Sequence, residues 1–443
     1  MSIASVASPG ETSLRSLKPM QAALEKPESG LPFWLQAVVF LLVLIILTSR
    51  QPDAIFHAQF FAEDGKVWYP DAYNLGWWHA LFLPFSGIFQ TVPRICASFA
   101  QLVPLCVAPL VLTIFQFMLL ALPVNVLLSR RSSAWGSLGF RVLLAVAYLA
   151  MPDCSEIAYG SNCAQWPMAL GSILLVVAAV PRGYAARVCE FIYLLLAGLT
   201  GPTCIVIFPV AAILAWKRRE RWRLVQCGIL AACGVANVCA LFILDPGGRQ
   251  ITKLGASPML LMRILSGDIF LGALLGRNGF GAMASTGGII FLLCIAVTCL
   301  ALIIACAVKS EAPMKYFLLF TVLLLTISLT RPTVFPPKGM TVWQTMMEVS
   351  DIRYWVIPSL AFLWAILWSV RSGTQIAKAV SILLLCVAPI GAVFTWVHPA
   401  MTDLHFAEYV RTFEAAPLGT VVVFPLNPNP ENWKMRLVKH APR

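Results

Sequence analysis

Long apolar runs separated by short polar stretches dominate the pattern of this chain. The first run covers residues 31–48, and runs of similar or shorter length follow at intervals up to residue 397. A helix needs about 20 predominantly apolar residues to cross a bilayer, because each residue adds about 1.5 Å. The pattern therefore predicts an all-α polytopic membrane protein with about 11 transmembrane helices of uneven length.

One apolar stretch, residues 188–216, has the length of either one kinked span or two short ones. It is interrupted at residues 200–202, Thr-Gly-Pro. A single span would place the basic residues 217–223 and the arginine pair at 130–131 on opposite sides, against the positive-inside rule. We therefore predict a hairpin of two short helices, each about 21 Å long.

The two ends of the chain differ from its apolar middle. Residues 1–30 are rich in Ser, Pro and Glu and predict a disordered cytoplasmic tail. Residues 31–397 form the predicted membrane domain, which places the N-terminus inside and the C-terminus outside. Residues 398–443 form a small exoplasmic segment, in which Thr420–Phe424 and Trp433–Val438 predict a β-hairpin.

Composition and charge exclude an ordinary soluble domain. Apolar residues make up 59% and charged residues 12% of the chain, whereas soluble domains carry about 25% charged residues. The net charge of +12 lies in short clusters at the ends of apolar runs, which indicates topology and argues against nucleic-acid binding. Most of the 20 carboxylates fall in predicted exoplasmic segments, although acidic residues contribute little to orientation. Those segments are therefore where we expect chemistry.

Two adjacent carboxylates stand out in the first exoplasmic loop. Glu63 and Asp64 follow Phe60-Phe61 and precede Gly65, a residue that lets the backbone turn and approach a ligand closely. A carboxylate near a membrane-embedded cavity is suited to act as a general base on an acceptor hydroxyl. The alternative is that both are ordinary solvated charges of a loop.

Arginines near the predicted exoplasmic span ends are candidates for binding a phosphate. Arg94, Arg331 and Arg353 occupy such places, at the depth where a polyprenyl phosphate presents its charge. Arginine can bind such a group through two parallel hydrogen bonds. We favour Arg353 together with Tyr354, because they lie where a long loop re-enters the membrane. Contact with ordinary membrane lipids is the alternative, and it is the one favoured for Arg331.

Thirteen cysteines are a high count, but most lie inside apolar runs, where cysteine packs as a small hydrophobe. Cys154 and Cys163 fall on or near one exoplasmic loop instead. A disulfide between them would be stable in an oxidising compartment, so this pairing is left open.

A hydrophobic first span followed by an exoplasmic Ala62-Glu63-Asp64-Gly65 motif resembles the GT-C glycosyltransferases, such as protein O-mannosyltransferases and the aminoarabinose transferase of lipid A. Those enzymes have a multi-span body and a catalytic Asp or Glu in the first exoplasmic loop. The chain resembles more closely a group of uncharacterised bacterial multi-span proteins that share further motifs. These are Val92-Pro93-Arg94, Asn162-x-x-Gln165-Trp166, Leu199-Thr200-Gly201-Pro202, Arg353-Tyr354 and Pro425-Leu426-Asn427-Pro428. The Trp-Trp-Asp type signature of better-known GT-C members is absent.

The resemblance implies a multi-pass enzyme of the bacterial cytoplasmic membrane. It would move a sugar from a polyprenyl-phosphate donor to an exoplasmic glycan or lipid acceptor, with Asp64 and Glu63 as the catalytic residues. Arg94, Arg353 and Tyr354 would then belong to the substrate-binding set.

The second exoplasmic loop supplies the remaining candidates. By resemblance, Asp153 and Glu156 would bind the acceptor or a metal. Two carboxylates alone are too few oxygens for a metal site, so no metal or other cofactor is assigned and a divalent cation is left open. Asn162 and Gln165 suit hydrogen bonding to sugar hydroxyls. Trp166 suits stacking on a sugar face, or alternatively anchoring at the membrane interface.

Two other functions stay open, a transporter or flippase of lipid-linked sugars and a structural membrane subunit. Transporters place ionisable residues near the middle of the membrane and often show internal repeats. Here few charges fall within the predicted spans, Glu190 being the nearest, and the loops of the two halves do not match.

Overall fold

The computed structural model describes residues 30–152, 154–245, 253–334, 336–348 and 352–441, without the side chains of residues 278, 280–287 and 352. The predicted disordered tail and the candidate Asp153 lie outside these residues. The structure is mostly helical, at 72%, as the apolar runs predict.

Within the described ranges, seven helical segments are long and apolar enough to cross a membrane, which agrees with a multi-span membrane protein. They are Phe33–Arg50, Ala108–Leu128, Arg221–Leu244, Pro258–Arg277, Gly288–Lys309, Ala312–Thr330 and Gln375–Phe394. Three further apolar helices, Leu138–Leu149, Ser161–Val177 and Val356–Ser372, are shorter.

In the described residues the secondary structure consists of α-helices, short 3-10 and π-helical segments and the turns between them, with one pair of strands near the C-terminus. The helices are α1 (Phe33–Arg50), α2 (Pro52–Phe56), α3 (Tyr69–Asn74), α4 (Trp77–Leu81), α5 (Thr91–Ala100), α6 (Ala108–Leu128), α7 (Leu138–Leu149), α8 (Gln165–Val177), α9 (Tyr184–Gly198), α10 (Thr203–Arg218), α11 (Arg221–Cys239), α12 (Pro258–Arg263), α13 (Gly272–Lys309), α14 (Ala312–Thr330), α15 (Val342–Glu348), α16 (Val356–Ser372), α17 (Gln375–Phe394) and α18 (Phe406–Ala415). The strands are β1 (Val421–Pro425) and β2 (Lys434–Val438).

Proline and hydroxyl residues mark where several helices begin. Pro109, Pro258 and Pro313 stand in the first turns of α6, α12 and α14, where a missing backbone N–H costs nothing. The side chains of Ser137 and Thr374 accept hydrogen bonds from the first turns of α7 and α17, which satisfies amides that have no partner inside the helix.

The predicted hairpin at residues 188–216 is confirmed as two helices, α9 and α10. Between them Gly201 adopts a φ of 87° and donates its N–H to the oxygen of Phe89 at 2.9 Å. Gln90 also forms a short antiparallel bridge with Thr200. The break between the helices is therefore held by the chain that leads into α5.

One end of the helix bundle carries Arg130 and Arg131, which follow α6, and Arg371, which lies in the last turn of α16. We call it the basic end. Arg131 pairs with Glu190 of α9, and Arg371 lies 3.8 Å from the carboxylate of Glu311, just before α14. Arg223 of α11 donates to backbone oxygens at the C-terminal end of α8, where such groups lack partners within the helix. The turns predicted to be cytoplasmic thus lie together.

At the opposite end, the acidic end, the C-terminal segment packs on the first loop. The predicted hairpin is confirmed, since β1 and β2 pair antiparallel with Val421 opposite Val438. Phe60, Leu426 and Met435 belong to one buried apolar cluster. The segment after residue 397 is therefore packed against the loop that carries Glu63 and Asp64.

Arg50, at the end of α1, ties the first apolar helix to the chain after the last one. It is 3% exposed and donates to the backbone oxygens of Leu149 and Met151. Its own oxygen accepts the N–H of His398 at 2.8 Å. Burial, followed by the charge of Arg50, lowers the pKa of His398 to about 3, so this histidine is neutral.

The sequence predicts an exoplasmic loop at residues 245–287, with an amphipathic helix over 258–275. The structure has a helical segment at Pro258–Arg277 that is also long and apolar enough to cross a membrane, and it includes a π-helical stretch at Ile264–Leu271. The backbone oxygen of Lys253, just before this segment, accepts the N–H of Val342 at 3.2 Å. The Arg277 side chain, at its end, donates to the backbone oxygen of Met347 at 2.7 Å. Both flanks therefore contact α15.

The disulfide that the sequence leaves open is not formed. Cys154 and Cys163 are both buried, and both carry free thiols.

Candidate functional site

A cavity at the acidic end gathers most of the predicted site residues. It encloses about 820 Å³ that protein atoms do not fill, part of it open to solvent. Its polar lining includes Glu63, Asn162, Gln165, Trp166, Arg353 and Tyr354. The starts of α8 and α10 and the end of α14 form its walls. Val206, Leu324 and Ile327 add apolar surface, so the cavity combines charged, polar and apolar contacts.

The two adjacent carboxylates have different surroundings. Glu63 is half-buried, lines the cavity and accepts a hydrogen bond from Asn162 Nδ2 at 3.4 Å. Asp64 is 1% exposed, and its oxygens accept from Ser161 N at 2.8 Å and Ser161 Oγ at 2.7 Å. Glu63 therefore reaches the cavity, whereas Asp64 lies behind it in a closed pair with Ser161.

The surroundings of Asp64 favour its protonated form. Burial raises the pKa of Asp64 to about 7, against the effect of the two Ser161 hydrogen bonds, and the charge of Glu63 adds to the increase. The backbone of Gly160 passes so close that a Cβ there would lie 2.0 Å from Asp64 Oδ2. Asp64 thus fixes the turn containing Ser161 and Asn162 against the first loop.

The backbone before Glu63 is held in an uncommon conformation. Ala62 has a φ of 46° and donates its N–H to the oxygen of Asn427 at 2.7 Å. A non-glycine residue in this region costs about 1–2 kcal/mol, and such strain is often found at functional sites. Phe61 stacks on Tyr159 at 4.9 Å. The C-terminal segment and the second loop therefore fix the direction of the Glu63 side chain.

Two arginines line the cavity, Arg331 and Arg353. Arg353 Nη1 lies 3.2 Å from Glu156 Oε1, and its backbone N–H donates to Glu156 Oε2 at 3.0 Å. Glu156 thus orients Arg353 without lining the cavity itself. For Arg331 the sequence favoured contact with membrane lipids, and the structure places its side chain in the lining of the same cavity as Arg353. Tyr354 is held through its hydroxyl, which accepts the N–H of Thr333 at 2.8 Å.

Arg94 lies away from the cavity. It is 2% exposed, donates to Asp71 Oδ2 at 2.9 Å, and its guanidinium stands 4.9 Å from the ring centre of Trp68. Trp68 itself lines the cavity. Arg94 therefore supports a wall of the site from behind, and the structure does not bring it together with Arg353.

Five polar atoms of cavity-lining residues are buried without a hydrogen-bond partner in the described part of the protein. They are Gln90 Oε1, Asn162 Oδ1, Gln165 Oε1, Trp68 Nε1 and Trp166 Nε1. Buried polar groups are almost always paired, and each unpaired one costs about 1–3 kcal/mol. These five atoms are closed to solvent, so they lie within the cavity wall and not on its surface. The amide side chains that line the cavity suit a ligand rich in hydroxyls, which both donate and accept.

Gln165 and Trp166 owe their positions to close packing. A Cβ on Gly201 would lie 2.3 Å from Gln165 Oε1, so only glycine lets the break between α9 and α10 approach this amide. Trp166 is 3% exposed and meets Tyr354 edge to face at 5.6 Å. Trp166 is therefore a buried part of the cavity wall, and the alternative of an interfacial anchor does not describe it.

Gln90 and Trp68 line the cavity but are not among the site residues predicted from the sequence, and Arg331 is a phosphate-binding candidate for which the sequence favoured lipid contact. Gln90 directly precedes the segment Thr91–Ala100, and nothing in its local pattern distinguishes it from a loop residue. Its bridge to Thr200 is a tertiary contact. Arg331 had a usable signal, its place at the end of an apolar helix, which it shares with many lipid-contacting arginines.

No group of three His, Cys, Asp or Glu side chains that could hold a metal ion occurs in the described ranges.

Comparisons with known proteins give no family for this chain. No protein-family model matches it, and no curated protein matches it. Its function must therefore be argued from the side chains of the cavity.

Proposed function

We propose that the chain is a GT-C-like glycosyltransferase of the bacterial cytoplasmic membrane, with about eleven spans, its N-terminus inside and its C-terminus outside. In this proposal the three shorter apolar helices and the pair α9 and α10 join six of the seven long segments as spans, and the seventh, Pro258–Arg277, lies on the outer side. The acidic end faces outward. The enzyme moves a sugar from a polyprenyl-phosphate donor to a hydroxyl of a glycan or lipid acceptor. The observation that carries the proposal is one cavity that combines Glu63, two arginines, polar amide side chains and apolar walls.

The arginines of the cavity provide the contacts for the donor phosphate. Arg331 and Arg353 both line the cavity, and charge-assisted hydrogen bonds to phosphate are among the strongest in proteins. Glu156 holds Arg353 at 3.2 Å, which fixes the direction of its guanidinium before a ligand binds. Leu324 and Ile327 of α14 line the same cavity and suit the first isoprene units of the lipid.

The polar side chains of the lining provide the contacts for the sugar. Gln90, Asn162 and Gln165 line the cavity, and a side-chain amide can both donate and accept hydrogen bonds. The hydroxyls of a sugar ring can pair with several of these side chains at once. A purely apolar ligand would remove them from water without offering a hydrogen-bond partner.

Glu63 is the general base of the proposed reaction, and Asp64 is a positioning residue. As the acceptor oxygen forms its bond to the anomeric carbon, its proton moves to Glu63. The bond between that carbon and the phosphate oxygen breaks, and the polyprenyl phosphate leaves with the electron pair. Asp64 is buried with both oxygens bonded to Ser161, while the neighbouring Asn162 bonds to Glu63. This reverses the order that the sequence suggested, which placed Asp64 first.

The test is transfer of a labelled sugar from a synthetic polyprenyl-phosphate donor by purified protein in lipid nanodiscs. Glu63→Gln keeps the size of the side chain and should lower turnover by about 10²–10⁴-fold, the usual contribution of a general base. Glu431→Gln, which changes an exposed carboxylate of the C-terminal segment, is the matched control and should leave turnover unchanged. Full turnover in the Glu63 variant would refute its role as the base.

A carrier of lipid-linked sugars is the second candidate, and one side chain favours it. Asp268 lies within the apolar segment Pro258–Arg277, and its Oδ2 is buried without a hydrogen-bond partner in the described residues. It lines a separate cavity of about 440 Å³ together with Arg277. Ionisable residues in apolar membrane segments often mark transport pathways. Movement of the donor across liposome membranes without sugar transfer, abolished by Asp268→Asn, would support the carrier.

A further inference from the structure

A wide groove at the basic end lies between α1, α6 and α8. It encloses about 1130 Å³ that protein atoms do not fill. Phe33, Leu122 and Leu175 give it an apolar surface, and Asn125 contributes a polar group. The groove touches the C-terminal end of α8, whereas the proposed transferase cavity touches the N-terminal end of the same helix. It is therefore a separate site.

The groove is positively charged. Among the described residues Arg130 and Arg131 line it, and no carboxylate does. Arg131 is committed elsewhere, because it pairs with Glu190 and donates to the oxygen of Ala179 at 2.7 Å. Arg130 is exposed and has neither a hydrogen bond nor an ion pair from its side chain to the described part of the protein. The last carbonyls near the end of α6 accept from Arg141 instead, so Arg130 is not needed as a helix cap.

Along the groove a cation is followed by an amide and then by apolar surface, the same order as the phosphate, the ester region and the acyl chain of a phospholipid. Asn125 lies five residues before Arg130, roughly 7 Å deeper along the axis at 1.5 Å per residue. Its side chain lines the groove, and its Nδ2 can donate a hydrogen bond to an ester oxygen of a lipid. Phe33, which is 87% exposed, and Leu122 provide apolar surface beside it. The groove thus offers a cation, an amide and an apolar surface in one place.

We propose that this groove binds an anionic phospholipid of the surrounding leaflet. The phosphate contacts Arg130, the glycerol and ester region contacts Asn125, and an acyl chain covers Phe33, Leu122 and Leu175. Charge complementarity favours an anionic over a zwitterionic lipid, because a free arginine attracts a lipid that carries net negative charge. The proposal does not depend on the transferase function, since none of its residues lines the other cavity.

The test measures lipid retention by the full-length protein. Purified protein is equilibrated with equal amounts of phosphatidylglycerol and phosphatidylcholine, and bound lipids are counted by native mass spectrometry. We expect selective retention of phosphatidylglycerol and about a fivefold loss of that lipid in Arg130→Ala, the effect of one arginine near an anionic lipid. Arg130→Lys should retain most of the binding. Leu122→Trp, which narrows the groove, should reduce retention of both lipids.

Arg218→Ala provides the matched control, because it removes an exposed positive charge of the basic end outside the groove. Equal losses in the Arg130 and Arg218 variants would overturn the proposal, since retention would then reflect the overall charge of this end. Equal retention of the two lipids by the unmodified protein would also overturn it. A third result would overturn it as well, namely that deleting residues 2–29 raises phosphatidylglycerol retention more than fivefold. The groove would then be the binding site of those residues and not of a lipid.

Discussion

Replacing Asp64 by asparagine should remove a large part of the pH dependence of stability. Burial raises the pKa of Asp64 from 3.8 to about 7, so the folded protein holds a proton that the unfolded chain releases at lower pH. The stability linked to this group is therefore fully present below about pH 4 and is lost as the pH rises towards 7. A difference of about three pKa units corresponds to about 4 kcal/mol.

The asparagine variant can keep the same contacts without the charge. Its Oδ1 can accept the N–H of Ser161, and its Nδ2 can donate to Ser161 Oγ, which accepts as well as donates. We expect the unfolding free energies of the two proteins to be close at pH 4 and to differ by about 4 kcal/mol at pH 8, with Asp64→Asn the more stable.

Denaturant titration of detergent-solubilised protein at the two pH values measures this difference. Groups other than residue 64 titrate in both proteins. Their contributions to the free energy of unfolding cancel when the variant is compared with the unmodified protein at the same pH. Glu431→Gln, at an exposed position, should show no such crossover. A constant difference between the Asp64 variant and the unmodified protein from pH 4 to pH 8 would refute the reasoning.

Three further substitutions test contacts at the acidic end. Arg353→Ala should raise the donor KM at least tenfold, because a hydrogen bond to a charged group contributes about 1.5–3 kcal/mol; an unchanged KM in donor titrations would contradict phosphate binding there. Gly201→Ala should destabilise the protein by about 2 kcal/mol or more in denaturant titration, because its Cβ would lie 2.3 Å from Gln165 Oε1. Gly419 has a similar φ but open space around it, so Gly419→Ala should lower the free energy of unfolding by less. Arg50→Ala should cost about 2–5 kcal/mol in the same assay, because it leaves buried carbonyl oxygens unpaired; a loss below 1 kcal/mol would contradict this.

The apolar pattern of the sequence was sufficient to locate most of the long apolar helices and the β-hairpin, but not the short helices of the loops, such as Tyr69–Asn74 and Val342–Glu348. Predicted and observed strand ends differ by one residue at most, and the break at residues 200–202 follows from charge placement and a Gly-Pro pair. These features depend on local chemistry. The spacing of apolar residues, helix-breaking residues such as Gly and Pro, and clusters of basic residues each act over only a few positions of the chain. Helix lengths were harder to predict, because packing decides how many polar residues a helix end includes.

The candidate site was predictable only in part, because its geometry depends on contacts between distant segments. The motif residues Asn162, Gln165 and Arg353 do meet Glu63 in one cavity. Adjacent residues in a tight turn point in different directions, so no local pattern distinguishes Glu63 from Asp64. Their roles separate only through Ser161, which occupies both oxygens of Asp64.

The hydrogen bond from Ala62 to Asn427 also sets an order of events during synthesis. Asn427 is made more than 350 residues after Ala62, which is about 20–70 s later at roughly 5–20 residues per second. Until then the loop carrying Glu63 lacks the strand end that holds its strained backbone. In a chain that is still on the ribosome, or truncated before Asn427, the loop with Glu63 therefore lacks this hydrogen bond. The loop can reach its final conformation only after the C-terminal segment has been made.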